Sequence, residues 1–506
     1  MKQQITTSNN PEISGRNEFE LPRFANYDGS ISEAPYEVYV DGKETELFAA
    51  RVSKMPFNRH WPGHQRSWDQ TELAAFASFT VDKPVEIRLV ANKDFKEAVV
   101  RPVSKKITPE VCGREIKFII EKPCQIVVEI NGRHDVLYLF ANPPEENVPS
   151  PDDKNVLYFG AGEHDVGRII PKNGQIIYIA EGAVVYGEIY AMDVENVTVR
   201  GRGILDHSKI LPEEIPDDAQ SPDPLRPSPI LFNYCKNITI EGIIVRDPCF
   251  LAVRPVACEN VIIDNIKIIG CWRYNSDGID FINSKHCRVR NCFVRSFDDS
   301  HCLKGFYFLY QGEMFHNRKA YDTMEDVEFD NCVVWNDWGK ALEIGVDLCA
   351  REIKNCAFRN CDILHVTAVA IDVSNVDYAD VHDILFENIR VEYDKINQMP
   401  TIQEKDEDQY IFDANPEYLP ELLCLNVCYS VYSHGGTVRG KESNITMRNI
   451  DVYAPKMPPS FFSGYDEEHG ICGVRIENLT LNGKKLTSFD EANIEIRDYA
   501  TDIEII

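Results

Sequence analysis

Three consecutive units decide the fold: NITIEGIIVRD (237–247), NVIIDNIKIIG (260–270) and HCRVRNCFVRS (286–296). Each holds two short apolar strands separated by Gly or Asn. Apolar residues alternate with period 2, the spacing of a strand, and not with the 3.6 of a helix. The unit recurs in both directions. Upstream lie QIIYIAEGAVVYGEIY (175–190) and NVTVRGRGILDHS (196–208); downstream lie DVEFDNCVVWN (326–336), EIKNCAFRNCDIL (352–364), DILFENIRVEY (383–393), NITMRNIDVYA (444–454) and NLTLNGKKL (478–486). The nearest copies, at Asn237 and Asn260, start 23 residues apart. Self-similarity on this scale marks a solenoid, in which each unit covers the open edge of the one before it. The prediction is an all-β chain whose residues 156–506 form a parallel β-helix.

Working outward, ANPPEENVPSPDDKN (141–155) is rich in Pro and acids and reads as an interdomain linker. Before it, residues 34–140 hold strand-length segments such as YEVYVDG, VEIRLVA and QIVVEIN with turn residues between them. That spacing predicts a small β-sandwich. Residues 1–33 are polar and read as an N-terminal arm. The stretch MPFNRHWPGHQRSWDQTE (55–72) is too polar for a core and too aromatic for an ordinary loop. It is expected to pack on the second domain or on another copy, so the N-terminal domain offers a surface for homo-oligomer formation. Insertions at 211–229, 394–420 and 455–470 interrupt the coils, where solenoid loops form cleft walls or edge caps.

The formal net charge of the 506-residue chain is -28. Such a surface repels nucleic acid and anionic membranes, whose affinity for proteins comes from Lys and Arg. No apolar run reaches the ~18 residues of a membrane span. The first 20 residues lack the apolar core of a secretory signal. A cytoplasmic protein is expected, or a secreted or periplasmic one whose signal has been removed. The 16 cysteines include no CxxC pair, and many follow Asn inside strand patterns, as at Cys292, Cys332, Cys356 and Cys361. They read as reduced, buried apolar residues. No metal cluster or cofactor motif is expected.

One stretch within the series carries chemistry: NSDGIDFINSKHCRVRNCFVRSFDD (275–299). It contains Asp277, Asp280 and the pair Asp298–Asp299. Asp277 and Asp298 are 21 residues apart, about one coil. Stacked coils lie about 4.8 Å apart, so these acids meet on one outer face. Like charges so close cannot all ionise, and one pKa must rise. A raised carboxyl donates a proton while an ionised neighbour activates water, a division that suits glycosidic hydrolysis. Turn capping and calcium binding remain the alternatives for such residues, although the Gly-x-Asp periodicity of calcium-binding repeats is missing.

The motifs resemble glycoside hydrolase family 28, the polygalacturonase family. RPSPILFNYCKNITIEGI (226–243) resembles the segment before its active coils. NSDGID (275–280) matches its Asn-Thr-Asp motif, FDDSHCLKG (297–305) its Asp-Asp motif, and WGKALEIG (338–345) its Gly-His-Gly region. The resemblance covers about residues 155–394. It implies a right-handed parallel β-helix and an inverting mechanism, with Asp298 as general acid, Asp277 and Asp299 holding and activating water, and Asp280 supporting them. Lys340 stands in place of the family's His. Ala370 and Asp372 replace the basic pair that holds a uronate carboxylate, so polygalacturonate is not the expected substrate. Glu343 is placed to bind sugar hydroxyls, with Lys304 and Lys340 as neighbouring cations. His301, two residues after the Asp pair, is a further contact candidate. Trp272, Tyr274, Trp335 and Trp338 are candidates for sugar stacking. A β-sandwich before a β-helix is also similar to family 49, which acts on neutral glucans. The expected partner is an oligosaccharide, cut by an exo-acting enzyme.

Two other readings stay open. A polysaccharide lyase or epimerase on the same fold needs a base and a cation for the uronate carboxylate; Lys340, Lys304 and Arg273 are the available parts. A non-catalytic carbohydrate-binding β-helix needs aromatic platforms and no clustered acids.

Overall fold

The computed structural model describes residues 34–59, 66–209, 227–306 and 322–506, apart from 406, 413, 414 and 435. The expected N-terminal arm and most of the 211–229 insertion lie outside the described residues. The chain forms two five-stranded N-terminal sheets and a 31-stranded sheet wound into coils. The first N-terminal sheet is antiparallel and centres on Val85–Ala91. The second runs in the order Phe48–Ser53, Thr71–Thr80, Val136–Asn142, Cys124–Ile130, Ala98–Arg101. The alternate residues that face inward, among them Ile87, Leu89, Ile116 and Leu139, close one core between the two sheets. This is the β-sandwich that the alternation implies.

The coils stack three parallel sheets. The same turn of successive coils carries asparagines in the left-handed conformation, a region open to Asn at little cost. Asn291, Asn331, Asn360, Asn388, Asn449 and Asn478 all have φ between 52 and 59°. Their amides bond along the stack, Asn331 to Asn291 at 2.8 Å and Asn388 to Asn360 at 2.9 Å. The residue after several of them is a cysteine that turns inward: Cys292, Cys332 and Cys361 are buried, and all 16 cysteines are free. Stacked rings fill the interior, with Phe329, Phe358 and Phe386 at 4.9 and 5.0 Å centroid spacing, as coil stacking requires.

The second sandwich sheet lies on one β-helix sheet. Val52, Phe76, Tyr138 and Phe140 meet Ile269, Phe293, Val333 and Trp335 in a shared buried cluster. Polar bonds cross the same seam: Arg295 donates to Ser53 O at 2.9 Å, and Gln125 donates to Asn265 at 2.8 Å. The described end of the 55–72 stretch also packs on the β-helix. Arg66 donates to Trp272 O at 2.9 Å and stacks 4.1 Å from the Phe297 ring. Phe57–Arg59 pairs with Thr401–Gln403 of the second insertion. No helix among the described residues is long and apolar enough to cross a membrane.

Trp335 is fully buried in this seam beside Arg295 and Tyr138. Trp335→Ala is expected to cost about 3–5 kcal/mol, read as a lower denaturant midpoint, with the sandwich unfolding separately from the coils.

Candidate active site

Three stacked turns, 270–278, 297–300 and 337–339, link the sandwich-facing strands Lys267–Ile269, Phe293–Ser296 and Val333–Asn336 to the outer strands Ile279–Ile282, His301–Gly305 and Lys340–Leu348. They place the acids. Gly278 N donates to Asp299 O at 2.8 Å and Asp298 N to Ser276 O at 3.3 Å, so Asp277 sits directly against the Asp298–Asp299 turn. That turn is fixed from below. Ser296 and Asn336 donate to Asp298 O at 2.6 and 2.7 Å, and Ser300 N donates to Lys340 O at 2.9 Å. Behind it Phe297 lies between Arg66 and Trp338, the Trp338 ring at 6.0 Å and nearly parallel. Gly339 must be glycine: a Cβ there would stand 2.6 Å from one oxygen of Asp298 and of Asp299.

In-register pairing then builds a column. Asp280, Cys302, Glu343, Asp372 and Cys424 partner one another on successive strands and point out of the coil. Lys304 reaches into the middle of the acids. Its Nζ is 2.8 Å from Asp299, 3.8 Å from Asp277, 3.9 Å from Asp280 and 3.8 Å from Glu343. Lys340 sits 3.0 Å from Glu343 and 3.7 Å from Asp299. Cys302 donates to the other oxygen of Glu343 at 3.1 Å. Asp277, Asp280, Asp299 and Glu343 are buried; Asp298 is half-buried and the most open of the catalytic candidates.

Charge is distributed unequally across this cluster. Burial, then the neighbouring Asp299, pushes Asp298 up to about 7. Burial also pushes Asp280 up to about 7, and it raises Asp277 well above the carboxylate range with help from Asp280 and Asp298. Asp299 behaves oppositely. Burial opposes its charge, but Lys304 and Lys340 outweigh burial and hold it far below the usual range. Glu343 is raised by burial and then by Asp299. One proton donor and one firmly ionised carboxylate therefore sit on adjacent residues.

The structure brings Asp277, Asp280, Asp298, Asp299, Lys304, Lys340 and Glu343 together, with Asp372 one rung further along. Asp372 accepts from Ser374 at 2.8 Å, and its other oxygen has no hydrogen-bond partner among the described residues. Three expectations need correction. His301 is not a substrate contact: strand alternation turns it into the core, 4.7 Å from Phe329, and burial lowers its pKa to about 3. Trp272 and Trp335 are buried and offer no stacking face. Ala370 faces the interior, so an arginine there would enter the core. Trp338 is half-buried and stacks on Phe297, which leaves its place as a sugar platform open. Tyr432 was missed. It comes from the loop after Glu421–Val427; its phenol is raised by burial and then by Asp298. No local motif announces it, because coil geometry alone brings this exposed ring to the acids.

Asp299, Cys302 and Glu343 hold donor atoms within 4.8 Å of one another. Two lysine ammoniums already meet their carboxylates, at 2.8 and 3.0 Å. These residues do not fit a resident cation.

Residues 183–306 match the family model of glycosyl hydrolases family 28. No curated protein matches the chain in sequence. Among solved structures, Dex49A from Penicillium minioluteum aligns over 96% of each chain with a TM-score of 0.62 and 13% identity. The polygalacturonase from Erwinia carotovora ssp. carotovora covers 66% of this chain and 86% of its own, at 14% identity and a TM-score of 0.47. An exopolygalacturonase from Thermotoga maritima covers 65% and 84%, at 16% identity and 0.42. The Dex49A likeness extends through the sandwich as well as the coils, and the family 28 match contains the acids from Asp277 to Asp299. The coils share the parallel β-helix fold of Dex49A, and residues 183–306, which carry the acids from Asp277 to Asp299, match glycosyl hydrolases family 28.

Proposed function

We propose that the chain is an inverting, exo-acting hydrolase of short neutral oligosaccharides. The observation that carries this is the opposed proton affinity of two adjacent carboxyls, Asp298 held protonated and Asp299 held ionised. Asp298 donates its proton to the glycosidic oxygen as the bond to the anomeric carbon breaks. Asp299 accepts a proton from the water that attacks that carbon, and Asp277, whose carboxyl stays protonated, hydrogen-bonds and positions that water. Inversion of the product sugar is what the resemblance to family 28 implies, with the acid and base closer together than the ~6.5–9.5 Å usual for that outcome. Lys304 keeps Asp299 charged in the buried site, and Lys340 adds a second positive charge 3.7 Å from its other oxygen.

Substrate preference follows from the column beyond the acids. Among the described residues Lys304 and Lys340 are engaged by Asp299 and Glu343, and Glu343, Asp372 and the nearby Glu421 would repel a uronate carboxylate. The same engagement weighs against lyase or epimerase chemistry. A cavity of about 470 Å³ lined by Val369, Tyr418, Leu419 and Glu421 adjoins this column, and the second insertion walls it. Tyr432 closes in from another loop, which supports removal of a terminal sugar.

Five outcomes test the reading. Asp298→Asn should lower kcat by about 10²–10⁴-fold on whichever sugar a chromatographic panel shows to be cleaved, with unchanged circular dichroism. Normal turnover in this variant would leave a binding module as the better account. The acid must be protonated and has its pKa pushed up to about 7, so kcat/KM should fall as pH rises through 7; a rate flat to pH 9 contradicts the assignment. Gly339→Ala drives a methyl into both carboxylates and should cost about 10²-fold in kcat without unfolding the chain. On the panel, neutral trisaccharides should be cleaved in preference to trigalacturonate, and Asp372→Lys should tighten trigalacturonate binding.

A further inference from the structure

A second cavity, of about 430 Å³, lies at the seam between sandwich and coils. One wall is the sandwich strand Cys124–Ile130 and the next is the segment 143–146 that leaves the sandwich; the third is the asparagine-bearing turn of the β-helix. The catalytic turns lie at the opposite edge of the sandwich-facing sheet. Lys267–Ile269, for example, is entered from Asn265 on the cavity side and left towards Asp277 on the other. The two sites share no residue.

Its lining contains buried polar atoms with no hydrogen-bond partner among the described residues, although Arg200 Nη2 stands 4.0 Å from Glu145 Oε1. These atoms are Gln125 Oε1, Glu145 Oε1 and Arg202 Nε. Gln125 is only 7% exposed. Each side chain is held by its other atoms and cannot turn away. Gln125 Nε2 donates to Asn265 Oδ1 at 2.8 Å. Glu145 Oε2 accepts from Tyr178 OH at 3.0 Å, and Arg202 donates to Pro143 O at 3.2 Å. Leaving such groups dry is costly, so they mark where an occupant bonds.

The donor set describes that occupant. Two acceptors and one donor call for groups that both give and take hydrogen bonds, as hydroxyls do. The formal charges nearly cancel: Lys105, Arg200 and Arg202 face Glu145, Glu146, Glu241 and Asp264. A polyanion would meet the acids and a cation the guanidiniums. Pro123, Pro143 and Pro144 add apolar surface for C–H faces. The volume falls in the ~300–1,000 Å³ range of small-molecule sites, which are common at domain seams.

We propose that this cavity is a second saccharide site, separate from the catalytic cleft, that takes a neutral sugar of one or two rings at the end of an oligosaccharide. Its effect is to hold a chain on the enzyme while the cleft works on another end or another molecule. Occupancy is read without turnover, so it stands or falls apart from the catalytic reading.

The test uses the full-length Asp298→Asn chain with maltotriose, isomaltotriose, cellotriose and trigalacturonate as probes. Amide hydrogen exchange should show that at least one neutral trisaccharide protects residues 123–126 and 200–203. Gln125→Leu and Arg202→Met, each added to that chain, should weaken this protection about 10-fold in the required sugar concentration. Melting temperatures confirm folding, and the two variants sit on different domains, so damage to one leaves the other informative. In the chain with Asp298 intact, Gln125→Leu should keep its turnover of a trisaccharide. The proposal is overturned if no neutral probe protects the seam, which would make the cavity a water site. It is also overturned if trigalacturonate alone does so, or if protection survives both substitutions.

Discussion

The structure depends on one constraint: successive coils must stack in register. Left-handed asparagines impose it. A residue at φ near 55° turns the chain at the same place in each coil, and its amide bonds to the asparagine of the next. Once the turn is fixed, the strand that follows has no freedom of phase. Aromatic rings fall on aromatic rings inside, and Asp280, Cys302, Glu343 and Asp372 fall on one another outside. A shift of one residue would exchange the two sets. Packing of the core and assembly of the acids are therefore the same event.

Concentrating carboxyls in this way is unfavourable unless a cation is buried with them. Lys304 supplies it from the strand that follows the Asp pair, five residues beyond Asp299. Its ammonium lies against Asp299 and about an ångström farther from three other acids, so the stabilisation is unequal. That inequality separates the protonation states of Asp298 and Asp299, which an even spread of positive charge would not do.

Much of this was legible in the residues. The period-2 units and their asparagines announce the coils, and because a solenoid maps sequence spacing onto distance, the 21-residue interval between Asp277 and Asp298 was enough to place them together. The same logic, carried one step further, assigns His301 to the core, since Cys302 and Lys304 point outward in the strand. Nearness to the Asp pair in sequence was the weaker guide. Ala370 departs from simple alternation because Ala370 and Ile371 both face inward where the coil bends. Trp335 was read as a sugar platform because a second domain's footprint leaves no periodic trace. Tyr432 was invisible for a related reason: it follows the Asp pair by more than 130 residues and reaches it only through the accumulated rise of the coils.

Arg66 belongs to the sandwich, yet it stacks on Phe297, the residue immediately before the acid pair, and caps Trp272 O on the coil above. The N-terminal domain is thus a clamp on the turn that bears the acid pair and not an appendage. A shortened enzyme made of coils alone would lose the back wall of its own active centre.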